Sequence, residues 1–169
     1  ETCDYRVNPP IRTADDVQAL IDGIRSGVVD AIATDHAPHL LSEKKGGALK
    51  ATSGMPMIQF SLVSMLELVD EEVFTLETVV EKMCHAPAQI YGIRNRGYIR
   101  EGYQADLVLV RPQTPWEVTK DKILSKCGWS PLEGHTFHWK VEKTFVNGHL
   151  LYNNGEIDET YRGQELRFR

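Results

Sequence analysis

An α/β fold is predicted from three features of the sequence. A strand, helix, strand pattern fills residues 3–34, and further helical patterns lie between residues 55 and 92. From Gly97 onward the pattern changes to short alternating runs broken by Asn-Gly turns, so the later part reads as mostly β. The chain is divided on this basis into residues 1–96 and residues 97–169.

Residues 3–7 are patterned as a short strand, stopped by Asn8-Pro9-Pro10 because neither proline has an N–H to donate. Thr13 precedes Ala14-Asp15-Asp16, a Thr-x-x-Asp start resembling a capping box. Val17, Leu20, Ile21 and Ile24 follow at helical spacing, and Gly27 provides the stop. Residues 28–34 (VVDAIAT) form a compact apolar run, as expected of a strand covered on both faces. Strand, helix and strand together read as a βαβ unit.

Residues 36–54 are polar and glycine-rich, a length of loop that is uncommon unless it is functional or mobile. Residues 55–69 are apolar on most faces and predict a buried helix. Thr75 is placed to cap another helix, with Leu76, Val79, Val80 and Met83 on one side; Pro87 begins a further turn ending at Gly92. Residues 105–110 (ADLVLV) are a strand candidate, and Phe137, Trp139, Val141 and Phe145 alternate with polar residues. Asn147-Gly148 and Asn154-Gly155 are hairpin signals.

Composition excludes several classes. The 169 residues fit one domain, and 41% hydrophobic with 25% charged residues is an ordinary globular balance. A net charge of −5 argues against nucleic acid or an anionic membrane as partner. No run approaches the roughly 18 apolar residues of a membrane span. Cys3, Cys84 and Cys127 form no CxxC pair, so reduced thiols in a cytoplasmic protein are expected rather than a structural zinc or disulfide framework. The chain opens without Met directly into a strand pattern, as expected of a piece of a longer protein.

The chemistry concentrates in Thr34-Asp35-His36-Ala37-Pro38-His39. A carboxylate and two imidazoles stand where an apolar strand ends, the place at which α/β folds gather their sites. Asp35 can ligate a divalent metal or take a proton from an attacking water. On the residues alone the commoner reading makes Asp35 a turn residue and the histidines polar loop residues, and spacing alone leaves the function open.

The segment Asp35-His36-Ala37-Pro38-His39, preceded by Ile32-Ala33-Thr34, resembles the signature at the last barrel strand of dihydroorotases in the amidohydrolase superfamily. Val7-Asn8-Pro9-Pro10-Ile11-Arg12 resembles that family's preceding strand end. Gly97-Tyr98-Ile99-Arg100-Glu101-Gly102, with Ala105-Asp106-Leu107-Val108, is similar to the re-entry of amidohydrolases into their small β domain. Residues 128–134 (GWSPLEG) and the hairpin from Val146 to Gly155 are similar too.

The resemblance implies the C-terminal part of a metal-dependent-hydrolase TIM barrel, its last two strands and helices, over residues 1–96. Residues 97–169 would then be part of a small β-sandwich domain. It implies that Asp35 is both a metal ligand and the general base, which later protonates the amide nitrogen leaving group. Asn8 and His39 match substrate-binding residues. Ser53 and Gly54 fall on the substrate loop and count as substrate-binding positions as well, Ser53 departing from the family's usual Phe, while His36 has no ligand role there and is structural or supports the site from behind. The implied cofactor is a binuclear zinc centre and the implied reaction interconverts dihydroorotate and N-carbamoyl-aspartate in pyrimidine biosynthesis.

That centre takes an early H-x-H pair, a carboxylated lysine and two later histidines besides the final aspartate. The chain has no H-x-H, so Asp35 stands as one ligand of an incomplete set. Two barrel strands do not close a barrel. The expected partners are therefore the N-terminal remainder of the barrel and a small-molecule substrate; a homo-oligomer is compatible, and the fragment alone is expected to be inactive. His85, His135, His138 and His149 lie outside the matching motifs and are read as structural or surface residues; His135 and His138, three apart in a strand, are expected to face opposite sides. Two alternatives remain: a dihydropyrimidinase, hydantoinase or allantoinase, and a non-catalytic amidohydrolase-like scaffold.

Overall fold

Residues 3–169 are described by a computed structural model. Helix α1 (Ala14–Ser26) begins as its sequence predicts. Thr13 Oγ1 accepts from the Asp16 N–H, and the Asp16 carboxylate accepts from the Thr13 N–H in return. Gly27 ends the helix at φ 80°, a left-handed conformation that costs glycine little. None of the helix is buried, and its apolar Leu20 is 61% exposed.

The strands predicted at residues 3–7 and 28–34 do not form. Residues 4–5 are a turn and residues 30–34 adopt no regular secondary structure; Val28 is 80% exposed. A strand is defined by a hydrogen-bonded neighbour, and among the described residues neither run has one. Isolated contacts replace the ladder: Ile32 N–H donates to Lys82 O at 3.1 Å, and His36 forms a single parallel bridge with Met55.

The helix predicted from residue 55 starts later. Residues 55–57 are not helical, a 3-10 turn follows at Ile58–Phe60, and α2 runs Ser61–Asp70. Pro56 disfavours helical backbone at Met55. The N–H groups of Met57 and Ile58 both donate to His36 Nδ1, at 3.1 and 3.2 Å, so this imidazole caps the turn.

Thr75 caps α3 (Leu76–Val80) by accepting from the Thr78 N–H at 3.1 Å. The helix then widens into a π segment (Glu81–His85) before α4 (Ala86–Ile90). Pro87 accounts for the widening, since it lacks an N–H and its ring would clash with a carbonyl one turn earlier.

The β part has two sheets. One has the order β1 (Leu107–Arg111), β4 (Lys140–Val146), β5 (His149–Asn153), β6 (Glu156–Ile157), all antiparallel; the other pairs β2 (Trp116–Glu117) with β3 (Thr136–Phe137). Both Asn-Gly turns form where expected. Asn147 and Gly148 have φ 52° and 82°, and Asn154 and Gly155 have 49° and 107°, the positive pair that a two-residue hairpin requires.

The main core joins the two parts of the chain. Phe60 and Val63 from the α2 region pack with Val118 and Phe137, and Trp116, Trp139 and Val141 close around them. Phe60 and Phe137 stack at 6.0 Å, and Trp116 meets Phe137 at 5.5 Å. Burying such side chains contributes about 1.5–3 kcal/mol each, with aromatic contacts adding about 0.5–1.5 kcal/mol.

His135 and His138 do not face opposite sides. The strand between them is only two residues long and the chain bends at His138. Both therefore reach Glu67 of α2, with His135 Nε2 2.9 Å from one carboxylate oxygen and His138 Nδ1 3.4 Å from the other. No helix among the described residues is long and apolar enough to cross a membrane.

Candidate active-site edge

Asp35 follows the irregular run of residues 30–34 with φ 46°, a left-handed conformation that Asp tolerates better than most residues, and it is exposed. The sharp change of direction separates it from His36, which turns inward to its capping contacts with residues 57 and 58.

Three of the sequence-selected segments lie side by side. Gly54 N–H donates to Arg6 O at 2.8 Å, and Ala37 N–H donates to Met55 O at 3.1 Å. The chain before Asn8, the end of the loop at Gly54, and the motif from Asp35 to His39 thus form adjacent lanes. Asn8 is exposed two residues beyond Arg6.

Gly54 has φ 124°, and a Cβ there would lie 2.5 Å from Ala37 Cβ and 3.1 Å from His39 Cδ2. Only glycine lets these backbones approach so closely. Ser53 Oγ accepts from Arg6 Nη1 at 2.9 Å, and the same guanidinium nitrogen also donates to Ala51 O.

His39 is half-buried. Its carbonyl accepts from Trp129 Nε1 at 2.7 Å, and its Nδ1 lies 3.9 Å from Glu43 Oε2. Trp129, from the segment GWSPLEG, therefore fixes the backbone of the motif from the β side of the molecule. Asn8, Asp35, His39 and Gly54 are positioned on three lanes held by backbone bonds, with Ser53 drawn toward Arg6.

Lys44 was not selected from the sequence, where it sits in the polar run Ser42-Glu43-Lys44-Lys45 with nothing to distinguish it from a solvated loop residue. It is 3% exposed, and its ammonium donates to Gly54 O at 2.7 Å, Thr52 O at 2.8 Å and Arg6 O at 3.1 Å. The ammonium also lies 5.8 Å from the centre of the Trp129 ring. Burial pushes its pKa below the ordinary lysine value; Asp4 opposes that shift and Arg6 adds to it.

The donor set is short of a metal centre. Among the described residues no group of three or more His, Cys, Asp or Glu side chains is placed to hold an ion. A catalytic zinc takes about three protein ligands. Asp35 can supply one carboxylate, so these residues do not by themselves fit a complete centre.

The amidohydrolase family profile matches residues 9–151. Dihydroorotase of Geobacter metallireducens is 42% identical over 147 residues, covering 87% of this chain and 34% of that protein. Dihydroorotase of Geotalea daltonii is 40% identical over 147 residues, with 87% and 34% covered. Among solved structures, L-hydantoinase (dihydropyrimidinase) from Arthrobacter aurescens superposes with a TM-score of 0.85 at 29% identity, covering 91% of this chain and 36% of that one. The chain spans about a third of the length of the curated relatives it matches. By the family profile and these relatives, the chain belongs to the amidohydrolase family.

Proposed function

We propose that this chain is part of a dihydroorotase, a cyclic-amide hydrolase that interconverts dihydroorotate and N-carbamoyl-aspartate in pyrimidine biosynthesis in the cytoplasm. The observation that carries the reading is the 35–42% identity to proteins named dihydroorotase over 147 and 161 residues of alignment, 87% and 95% of this chain. The adjacent lanes between Asn8 and Gly54 support it, because they bring the matching residues to one edge of the molecule.

In this reading residues 1–96 are the C-terminal portion of a (β/α)8 barrel and residues 97–169 are part of its small β domain. Asp35 contributes a carboxylate to a zinc centre whose other ligands come from outside this chain. It takes a proton from the attacking water and delivers it to the departing ring nitrogen. Asn8, His39 and the Gly54 backbone hold the substrate through polar contacts. Ser53, bonded to Arg6, shapes the loop.

The exposed apolar residues of α1, together with Ile11 and Val28, support the same reading, since soluble monomers rarely leave such surface uncovered. The remainder of the barrel would cover it and supply the missing neighbours of residues 3–7 and 28–34.

A second reading, a hydantoinase or dihydropyrimidinase, is favoured by the solved structure of that name at 29% identity. Turnover of dihydroorotate, dihydrouracil, hydantoin and allantoin by the full-length protein separates the two. Dihydroorotate is expected to react fastest. A preference for dihydrouracil or hydantoin would move the assignment to the second reading, and no turnover of any of the four would favour a non-catalytic scaffold.

A further inference from the structure

We infer that Lys44 is a positioning residue for the substrate side of the site, tying together the backbones that carry Asn8, Gly54 and His39. The inference rests on the cyclic-amide hydrolase reading for its consequence in catalysis, though not for its geometry.

Lys44 Nζ has three donors, and each meets a backbone carbonyl: Arg6 O, Thr52 O and Gly54 O. Two of these flank Ser53, and the third lies two residues before Asn8. Arg6 O also accepts from the Gly54 N–H, so one carbonyl receives both the lane-to-lane bond and the ammonium. The ammonium approaches the face of Trp129, whose indole N–H holds the His39 carbonyl. One side chain thus reaches all three lanes, directly for two and through Trp129 for the third.

The placement is costly without a purpose. A buried ammonium loses its hydration, and no carboxylate lies within ion-pair distance of Lys44 among the described residues. Three carbonyl dipoles, an aromatic face and the charge of Asp4 supply the compensation, and the carbonyls do so only while the loop lies against the chain at Arg6. Ladder hydrogen bonds would ordinarily define such lanes, but here the bonds between them are few. The ammonium substitutes a point cross-link for a ladder.

The test combines hydrogen exchange with kinetics in the zinc-loaded full-length protein. Lys44→Met removes all three donors, and Lys44→Gln keeps a donor group at reduced reach. The expected result is faster exchange of the Gly54 and Ala37 amides in Lys44→Met, with Val63 and the β4–β5 amides unchanged. KM for the cyclic amide should rise about tenfold to a hundredfold, roughly the loss of one hydrogen bond to a charged substrate group. The kcat should fall less, zinc content should stay at the wild-type level, and Lys44→Gln should lie between the two.

Unchanged exchange at Gly54 overturns the inference. Faster exchange with unchanged KM overturns it as well, leaving Lys44 a purely structural residue. If Lys44→Met does not fold, the same criteria apply to Lys44→Gln. Failure of the wild-type protein on every cyclic amide would reject the proposed function instead, and the exchange data would still decide whether Lys44 holds the lanes.

Discussion

The two ends of this chain solve the problem of local order differently. The β part is held by ladders: β1, β4, β5 and β6 lie side by side in that order, and two-residue turns set the register of the last three. The site edge has almost no ladder. It is held by an imidazole cap at His36, a glycine contact at Gly54 and a lysine that gathers three carbonyls. A hairpin contains both halves of its own hydrogen bonding, whereas a barrel strand needs neighbours from elsewhere. The difference teaches that the site edge is shaped by side chains fixing backbones.

Substitutions in each region should therefore fail in different ways. Phe137→Ala removes a fully buried ring from the core shared by α2 and the β part, and is expected to cost about 3–5 kcal/mol in chemical denaturation. Gly54→Ala should do the reverse. Its Cβ would clash with Ala37 and crowd His39, so kcat/KM in the full-length enzyme should fall about a hundredfold while core stability changes little. If Gly54→Ala were silent in catalysis, the close lane contact would not matter to the site.

Thr13→Ala should lower stability by about 1 kcal/mol through loss of the cap, with kinetics unchanged. The smallest effect concerns Asp158, whose carboxyl is lowered to about 2 by its bonds to the Thr160 hydroxyl and to His149. A carboxyl lowered by folding contributes stability that is complete above its unfolded pKa, near 4, and is lost as pH falls toward 2. Asp158→Asn should lower stability by a constant amount above pH 5 and flatten the acid limb, so that the two unfolding curves converge as pH falls toward 2.

What could be read from the sequence follows the same division. The Thr13–Asp16 box, the Gly27 stop, the Thr75 cap and both Asn-Gly turns were legible because their partners are within a few residues. The apolar run at residues 28–34 was legible as strand-like but not as a ladder, since a ladder depends on its neighbours. His135 and His138 converge on Glu67 only because α2 packs beneath a two-residue strand, which no local pattern reports. Asp35 and His39 were found through their resemblance to a family motif, while Lys44 and Arg6 carry no local signal. Their role is visible only once the loop is folded back onto residues 6–8.

The central claim is that this chain carries one edge of an amidohydrolase site, with Asp35 as a single ligand that works only alongside ligands from outside it. Dihydroorotate turnover and bound zinc, measured for the 169-residue chain alone and for the full-length protein, test it most directly. The account predicts no turnover and no tightly bound zinc in the chain alone, with both present in the full-length protein and turnover lost in its Asp35→Asn variant. Tight zinc binding and turnover by the chain alone would contradict it.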